Sequence, residues 1–177
     1  TTEIYTLSLH DALPIYMSVD TMARLFELKN IVGVKDATGV LDRVNEQKKK
    51  LGNDFIQLTG NDDNAFEFNK LGGVGAISVT ANIAPKLCSD FQKFSLSKNG
   101  NEQKEAERID KILQPVHNSM FIESNPSPVK YAANLLNWCS DDVRLPLVKV
   151  TEQTKKVVKK TLIRSEERRV GKECRSR

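Results

Sequence analysis

A lysine at the end of a short apolar run, followed at once by small polar residues, is a way to present an amine as a nucleophile. Ile31-Val32-Gly33-Val34-Lys35-Asp36-Ala37-Thr38-Gly39 has this form. In a parallel α/β fold the C-terminal tips of the strands are where sites are assembled. A lysine partly desolvated there by apolar neighbours loses its proton near neutral pH and attacks a carbonyl as the free amine. The bland reading is a strand that ends in a solvated lysine, the commoner use of such a stretch.

Two other segments carry residues suited to the same edge. In Leu58-Thr59-Gly60-Asn61-Asp62-Asp63, Gly60 allows close approach of backbone to a ligand, and Asn61 can donate to a carboxylate, as can Thr80 further on. Each has a structural alternative: Gly60 and Gly72-Gly73 as turn residues, Asp62 and Asp63 as acids favoured by a helix N-terminus. Gly72-Gly73-Val74-Gly75 invites a phosphate-cradle reading, but it precedes a strand pattern rather than following one, so that signal is weak.

The elements that must position these residues alternate. Ser18 or Asp20 caps a predicted helix through about Leu28, with Met22, Leu25, Phe26 and Leu28 on its apolar face. A strand over 31–35, a helix over 41–51 stopped by Gly52, a strand over 55–59, a short helix over 64–71 stopped by Gly72-Gly73 and a strand over 74–79 follow. Strands spaced about 20–24 residues apart with one helix between each pair have the rhythm of a parallel sheet. Three such units are too few for a closed eight-stranded barrel, which takes about 250 residues. After Pro85 the pattern is helical, with helices predicted at 86–98, 102–121, 127–138 and 151–163.

Composition bounds the function. The 177 residues are 39% hydrophobic and 28% charged, as in a soluble globular protein. No apolar run approaches the roughly 20 residues of a membrane span. The three cysteines, Cys88, Cys139 and Cys174, form no Cys-x-x-Cys pair, which disfavours a zinc site or disulfide framework and suits a cytoplasmic setting. With only His10 and His117, histidine metal sites and triads lack material. The net charge of +4 lies on helix faces, such as Lys48-Lys49-Lys50 and Lys155, Lys156, Lys159 and Lys160. Aromatic residues do not interleave with these lysines, so no nucleic-acid partner is indicated.

The two ends read as foreign to the rest. Residues 1–15 lack the basic start of a signal peptide, and 165–177 carry one hydrophobic residue, Val170, besides Cys174. Both resemble translated sequencing-adaptor read-through; a disordered natural tail is the alternative for 165–177. The resulting expectation is a non-native leader (1–15), a barrel portion (16–85), a helical C-terminal domain (86–164) and a non-native or disordered tail (165–177).

Between about Tyr16 and Arg164 the chain resembles the second half of the dihydrodipicolinate synthases, within the class I aldolase family that includes N-acetylneuraminate lyase. The resemblance is carried by Asn30-Ile-Val-Gly-Val-Lys-Asp-Ala-Thr-Gly39, Leu58-Thr-Gly-Asn-Asp-Asp63 and Gly72-Gly-Val-Gly-Ala-Ile-Ser-Val-Thr-Ala-Asn82. Phe121-Ile-Glu-Ser-Asn-Pro-Ser-Pro-Val-Lys-Tyr131 and Arg144-Leu-Pro-Leu147 extend it and favour the synthases over their lyase relatives. The resemblance implies an α/β fold, an incomplete TIM (β/α)8 barrel of the last three βα units followed by an α-helical C-terminal domain. It implies Lys35 as the Schiff-base lysine that takes pyruvate, with the enamine then attacking aspartate semialdehyde. Gly60 and Ile77 match positions lining the pyruvate pocket, Ile77 through its backbone carbonyl. No metal or organic cofactor is implied, and the implied assembly is a cytoplasmic homotetramer.

The departures are also large. The family's Tyr-Asn-x-Pro motif, its tyrosine–threonine proton relay, its substrate-carboxylate arginine and its allosteric lysine site have no counterpart here. Tyr5, Tyr16 and Tyr131 do not sit in that motif. The expectation is therefore a truncated copy, poorly soluble through an open sheet edge and of little or no turnover alone. Two alternatives are a related pyruvate aldolase with another aldehyde and a non-catalytic α/β fragment.

Overall fold

A computed structural model of the chain describes residues 16–164. The expectations for 1–15 and 165–177, and for His10, Tyr5 and Cys174 within them, lie outside the described residues.

The first helix, α1 (Val19–Phe26), begins where Ser18 predicts, its side chain accepting a hydrogen bond from the Thr21 amide at 3.1 Å. Met22 is buried, and the Phe26 ring meets Phe55 edge-to-face with centroids 5.0 Å apart. Strand β1 (Gly33–Asp36) follows, then α2 (Asp42–Leu51), then β2 (Ile56–Thr59). The strands pair in parallel, with Gly33 opposite Ile56, Lys35 opposite Leu58 and Asp36 opposite Thr59. Gly52 ends α2 at φ 86°, and Lys48, Lys49 and Lys50 occupy its last turn, where cations suit the negative end of the helix dipole. Helix α3 (Ala65–Leu71) ends on left-handed Gly72.

The third predicted strand, 74–79, forms only in part. Hydrogen bonds from Val74 N to Gln57 O, Thr59 N to Gly75 O and Ile77 N to Thr59 O lay it parallel to β2, yet only Thr59 and Ala76 form a bridge. Gly75 stands at φ 154°, and beyond Ile77 the chain turns into a 3-10 turn, Thr80–Asn82. The apolar pattern correctly brings this segment to the sheet, but the glycines and the turn keep it from being a regular strand. Among the described residues the sheet proper thus has two strands rather than three.

Four helices complete the described chain, as the sequence predicts: α4 (Pro85–Ser95), α5 (Gly100–Ser119), α6 (Ser127–Leu135) and α7 (Glu152–Arg164). One apolar cluster joins α3, α4 and α5 through Phe66, Cys88, Phe91, Ala106, Ile109 and Leu113. A second joins the 3-10 turn to α5, α6 and α7 through Ile83, Val116, Met120, Val129, Ala132 and Val158. α5 contributes to both, with Ile109 and Leu113 to one and Val116 to the other, and so links the sheet side to the C-terminal helices. Among the described residues, no helix is long and apolar enough to cross a membrane.

Candidate active site

Alternation along the strands sorts their side chains onto two faces. Val34, Asp36, Gln57 and Thr59 belong to the face against the helices: Gln57 donates to the Val44 carbonyl of α2, and Thr59 to Asn64 just before α3. Gly33, Lys35, Ile56, Leu58, Gly75 and Ile77 belong to the other face. A Cβ on Gly33 would lie 2.6 Å from the Ile56 Cβ, and one on Gly75 3.3 Å from the Leu58 side chain, so this face is narrow in the middle and made of backbone as much as side chain.

Lys35 stands on that open face with Gly60 beside it. A Cβ on Gly60 would fall 2.7 Å from the Lys35 Cε and 2.7 Å from the Ala37 Cβ. The absence of a side chain there is what gives the lysine stem its path. The Lys35 ammonium has no hydrogen-bond or ion-pair partner among the described residues. It is exposed, however, not enclosed by apolar neighbours as the sequence reading expects. The physical reason is that two strands and one extended segment give a sheet with an open face, and nothing in the described chain lies over it.

Ile77 reaches the same face, also exposed. Its amide continues the ladder to the Thr59 carbonyl at 2.8 Å. The next ladder bond would run from the Asn61 amide to the Ile77 carbonyl, but that amide turns to the Thr59 hydroxyl at 3.0 Å. The Ile77 carbonyl therefore accepts no hydrogen bond among the described residues. Gly60, by contrast, keeps its ladder bond to the Asp36 carbonyl at 2.8 Å. The result is an amine, a side-chain-free stretch and an unpaired carbonyl on one face of three adjacent strand tips. An amine and a ketone add to form a carbinolamine, and its new hydroxyl is a donor for which such an unpaired carbonyl is a fitting acceptor.

The tip of β1 is held from behind. Asp36 accepts from the Thr38 amide at 2.9 Å, Arg43 Nε at 2.8 Å and Gln47 Nε2 at 3.0 Å, while Arg43 also donates to the Met17 carbonyl. Burial opposes the charge of Asp36, but the hydrogen bonds from Arg43 and Thr38 outweigh it and hold the carboxyl below its ordinary range. This carboxylate ties α2 to the residue after Lys35, a role the sequence reading did not assign to it.

Asp62, read from the sequence as an acid favoured by the N-terminus of α3, has specific partners in the third segment. It is buried, and its Oδ2 accepts from the amides of Val79 and Thr80 at 2.9 and 3.0 Å. Thr80 in turn bonds His117 Nδ1 of α5 at 2.7 Å, so it is not free to meet a substrate carboxylate. Asn61 Nδ2 turns toward the Ala37 carbonyl at 3.5 Å. A cavity of about 220 Å³ lies on the helix side, lined by Asp62, Ala76, Ser78, Cys88, Phe91 and His117 among others; Lys35, Gly60 and Ile77 do not line it. Among the described residues, no group of three or more His, Cys, Asp or Glu is gathered as for a metal ion.

The profile of the Dihydrodipicolinate synthetase family matches residues 12–165. The 4-hydroxy-tetrahydrodipicolinate synthase of Pelagibacter ubique is 76% identical over 147 residues, 83% of this chain and 50% of that protein. That of Parvibaculum lavamentivorans is 54% identical over 132 residues, 75% of this chain and 44% of its own length. Among solved structures, the 4-hydroxy-tetrahydrodipicolinate synthase of Methylacidiphilum fumariolicum superposes with a TM-score of 0.81 at 35% identity, over 86% of this chain and 50% of that one. The chloride-inhibited dihydrodipicolinate synthase of Acinetobacter baumannii, solved with pyruvate, gives 0.78 at 37% identity, over 84% and 50%. The chain thus spans about half the length of the relatives it matches.

Proposed function

From the membership of this chain in the dihydrodipicolinate synthetase family, we propose that it carries the Schiff-base half of a 4-hydroxy-tetrahydrodipicolinate synthase, a lyase of lysine and diaminopimelate biosynthesis. In this reading residues 16–85 are the last units of a (β/α)8 barrel and 86–164 its helical C-terminal domain. The open face of the sheet is the interior wall of that barrel. Lys35 is the catalytic residue. Its amine adds to the pyruvate ketone, water leaves, and the protonated imine gives up a methyl proton to become an enamine. The enamine carbon attacks the aldehyde of aspartate semialdehyde. The amine of the adduct then closes the ring and releases Lys35.

Gly60 and Ile77 are the substrate-binding positions: Gly60 gives the lysine stem its path, and the Ile77 carbonyl meets bound pyruvate. The observation that carries the proposal is the convergence of Lys35, Gly60 and the unpaired Ile77 carbonyl on one face. The methyl proton of the imine passes to solvent, whereas proton transfer to the aldehyde adduct needs groups beyond those on this face; full turnover in this reading draws on sequence that relatives of about twice the matched length carry. The proposed enzyme works in the cytoplasm as a homotetramer, without metal or organic cofactor.

Exchange of the pyruvate methyl protons in heavy water, followed by proton NMR, reads enamine formation without the second substrate. The proposal predicts exchange that Lys35→Ala abolishes; exchange equal to buffer alone would contradict it. Consumption of aspartate semialdehyde over N-acetylmannosamine separates the synthase from the lyase-like alternative, which the Pro-Ser-Pro-Val-Lys and Arg-Leu-Pro-Leu segments already disfavour.

A further inference from the structure

We infer that Asp62 is a positioning residue of the site, a clamp that takes over where the β ladder ends and so sets where the Ile77 carbonyl stands; this rests on the reading of Lys35 and Ile77 given above. The ladder that carries the third segment runs out at Ile77, whose amide makes its last bond, to Thr59. Beyond it the Asn61 amide is diverted to the Thr59 hydroxyl, so no backbone group of β2 holds the segment 78–80. The amides of Val79 and Thr80 both end on one oxygen of Asp62. Asp62 lies two residues past Gly60, so the clamp joins the tip that flanks Lys35 directly to the tip that carries Ile77.

A carboxylate that accepts two backbone N–H groups in a buried setting makes charge-assisted bonds, roughly twice as strong as neutral ones. They fix the backbone of a segment whose side chains Val79 and Ala81 pack against the two apolar clusters but whose amides have left the ladder. The second anchor is Thr80, whose hydroxyl meets His117 on α5, and the turn is closed by the Ala81 amide bonding to the Ser78 hydroxyl at 2.8 Å. These bonds all hold backbone past Ile77 and leave its carbonyl alone. The geometry thus serves placement of an unpaired acceptor, at the cost of burying one carboxylate.

The test uses Asp62→Asn, which keeps the shape and one neutral acceptor, and Asp62→Ala, which removes it. Borohydride trapping of pyruvate on Lys35 is measured against pyruvate concentration, with amide hydrogen exchange read in parallel. The expected result for Asp62→Asn is a rise of about ten-fold in the pyruvate concentration for half-maximal trapping. The limiting yield stays near that of the unaltered chain, because Lys35 itself is untouched. Val79 and Thr80 amides exchange faster while those of α5 do not; Asp62→Ala shows a larger effect of the same kind. An unaltered chain that traps pyruvate, with unchanged half-saturation in Asp62→Asn, would overturn the clamp and leave Lys35 standing. No adduct even in the unaltered chain would sink the reading of Lys35 and this inference together. Should the variants fail to fold, open-chain exchange rates at Val79 and Thr80 in the unaltered protein would overturn the clamp by themselves.

Discussion

At Lys35 the proposed chemistry depends on a side chain that Gly60 lacks. Gly60→Ala would place a methyl 2.7 Å from both the Lys35 Cε and the Ala37 Cβ; the lysine can swing away, but Ala37 is fixed to β1. The expected outcome is at least a ten-fold loss of Schiff-base trapping with the helices intact by circular dichroism; unchanged trapping would contradict the role given to Gly60. Asp36→Asn should lower stability by about 2 kcal/mol in urea unfolding, because it weakens bonds from Arg43 and Gln47 at a buried site. His117 supplies a pH signature. Burial, partly offset by the charges of Asp62, Asp110 and Asp63, lowers its pKa from the ordinary 6.5. Above that value both folded and unfolded chains hold a neutral ring. Below it the unfolded chain takes up a proton that the folded chain refuses, so stability falls as pH falls. Urea unfolding between about pH 7 and pH 5 should therefore show a decline that His117→Gln flattens. Lys35 was legible as a candidate from its local pattern, and Gly60 and Ile77 as pocket candidates through the family resemblance. Asp62 and Asp36 were not, since their partners at Val79, Thr80, Arg43 and Gln47 are set by the fold rather than by neighbours in sequence.

Helix boundaries were readable because their signals are local. Ser18 caps α1, Gly52 and Gly72 stop α2 and α3, and Pro85 opens α4. The third strand was over-read, because an apolar run reports burial while ladder pairing depends on Gly75 and on the turn at Thr80. Two glycines test this logic at the level of the element. Gly52 sits at φ 86° and ψ −177° with nothing within 4 Å of an added Cβ, so Gly52→Ala costs roughly 1 kcal/mol from backbone strain alone. Asn should not rescue it, because this ψ lies outside the left-handed helical region that Asn tolerates. Gly100 opens α5 with equally free space and no positive φ, so Gly100→Ala should be neutral or stabilising by up to about 1 kcal/mol. Thermal midpoints of the two variants, moving in opposite directions or not, decide the matter.

Across the whole molecule the apolar clusters lie on the helix side, while Val32, Ile56, Val74 and Ile77 of the sheet region are exposed. A parallel sheet is normally covered on both faces. Among the described residues the open face is the one that bears Lys35, and nothing pairs with the outer edge of β1. Concentration-dependent self-association by light scattering is the expected consequence, and an Ile56→Lys, Ile77→Lys variant should reduce it. The parallel sheet and the succession of helices followed from periodicity. The exposure of the lysine did not, because it is set by what packs over the sheet, and among the described residues nothing covers that face. The central claim is that Lys35 is the amine that takes the keto acid. Borohydride trapping with pyruvate, read by intact mass and peptide mapping with Lys35→Ala alongside, tests it most directly. A reduced adduct on Lys35, absent from the variant, is the predicted result; an adduct spread over other lysines, or none in a folded sample, would contradict it.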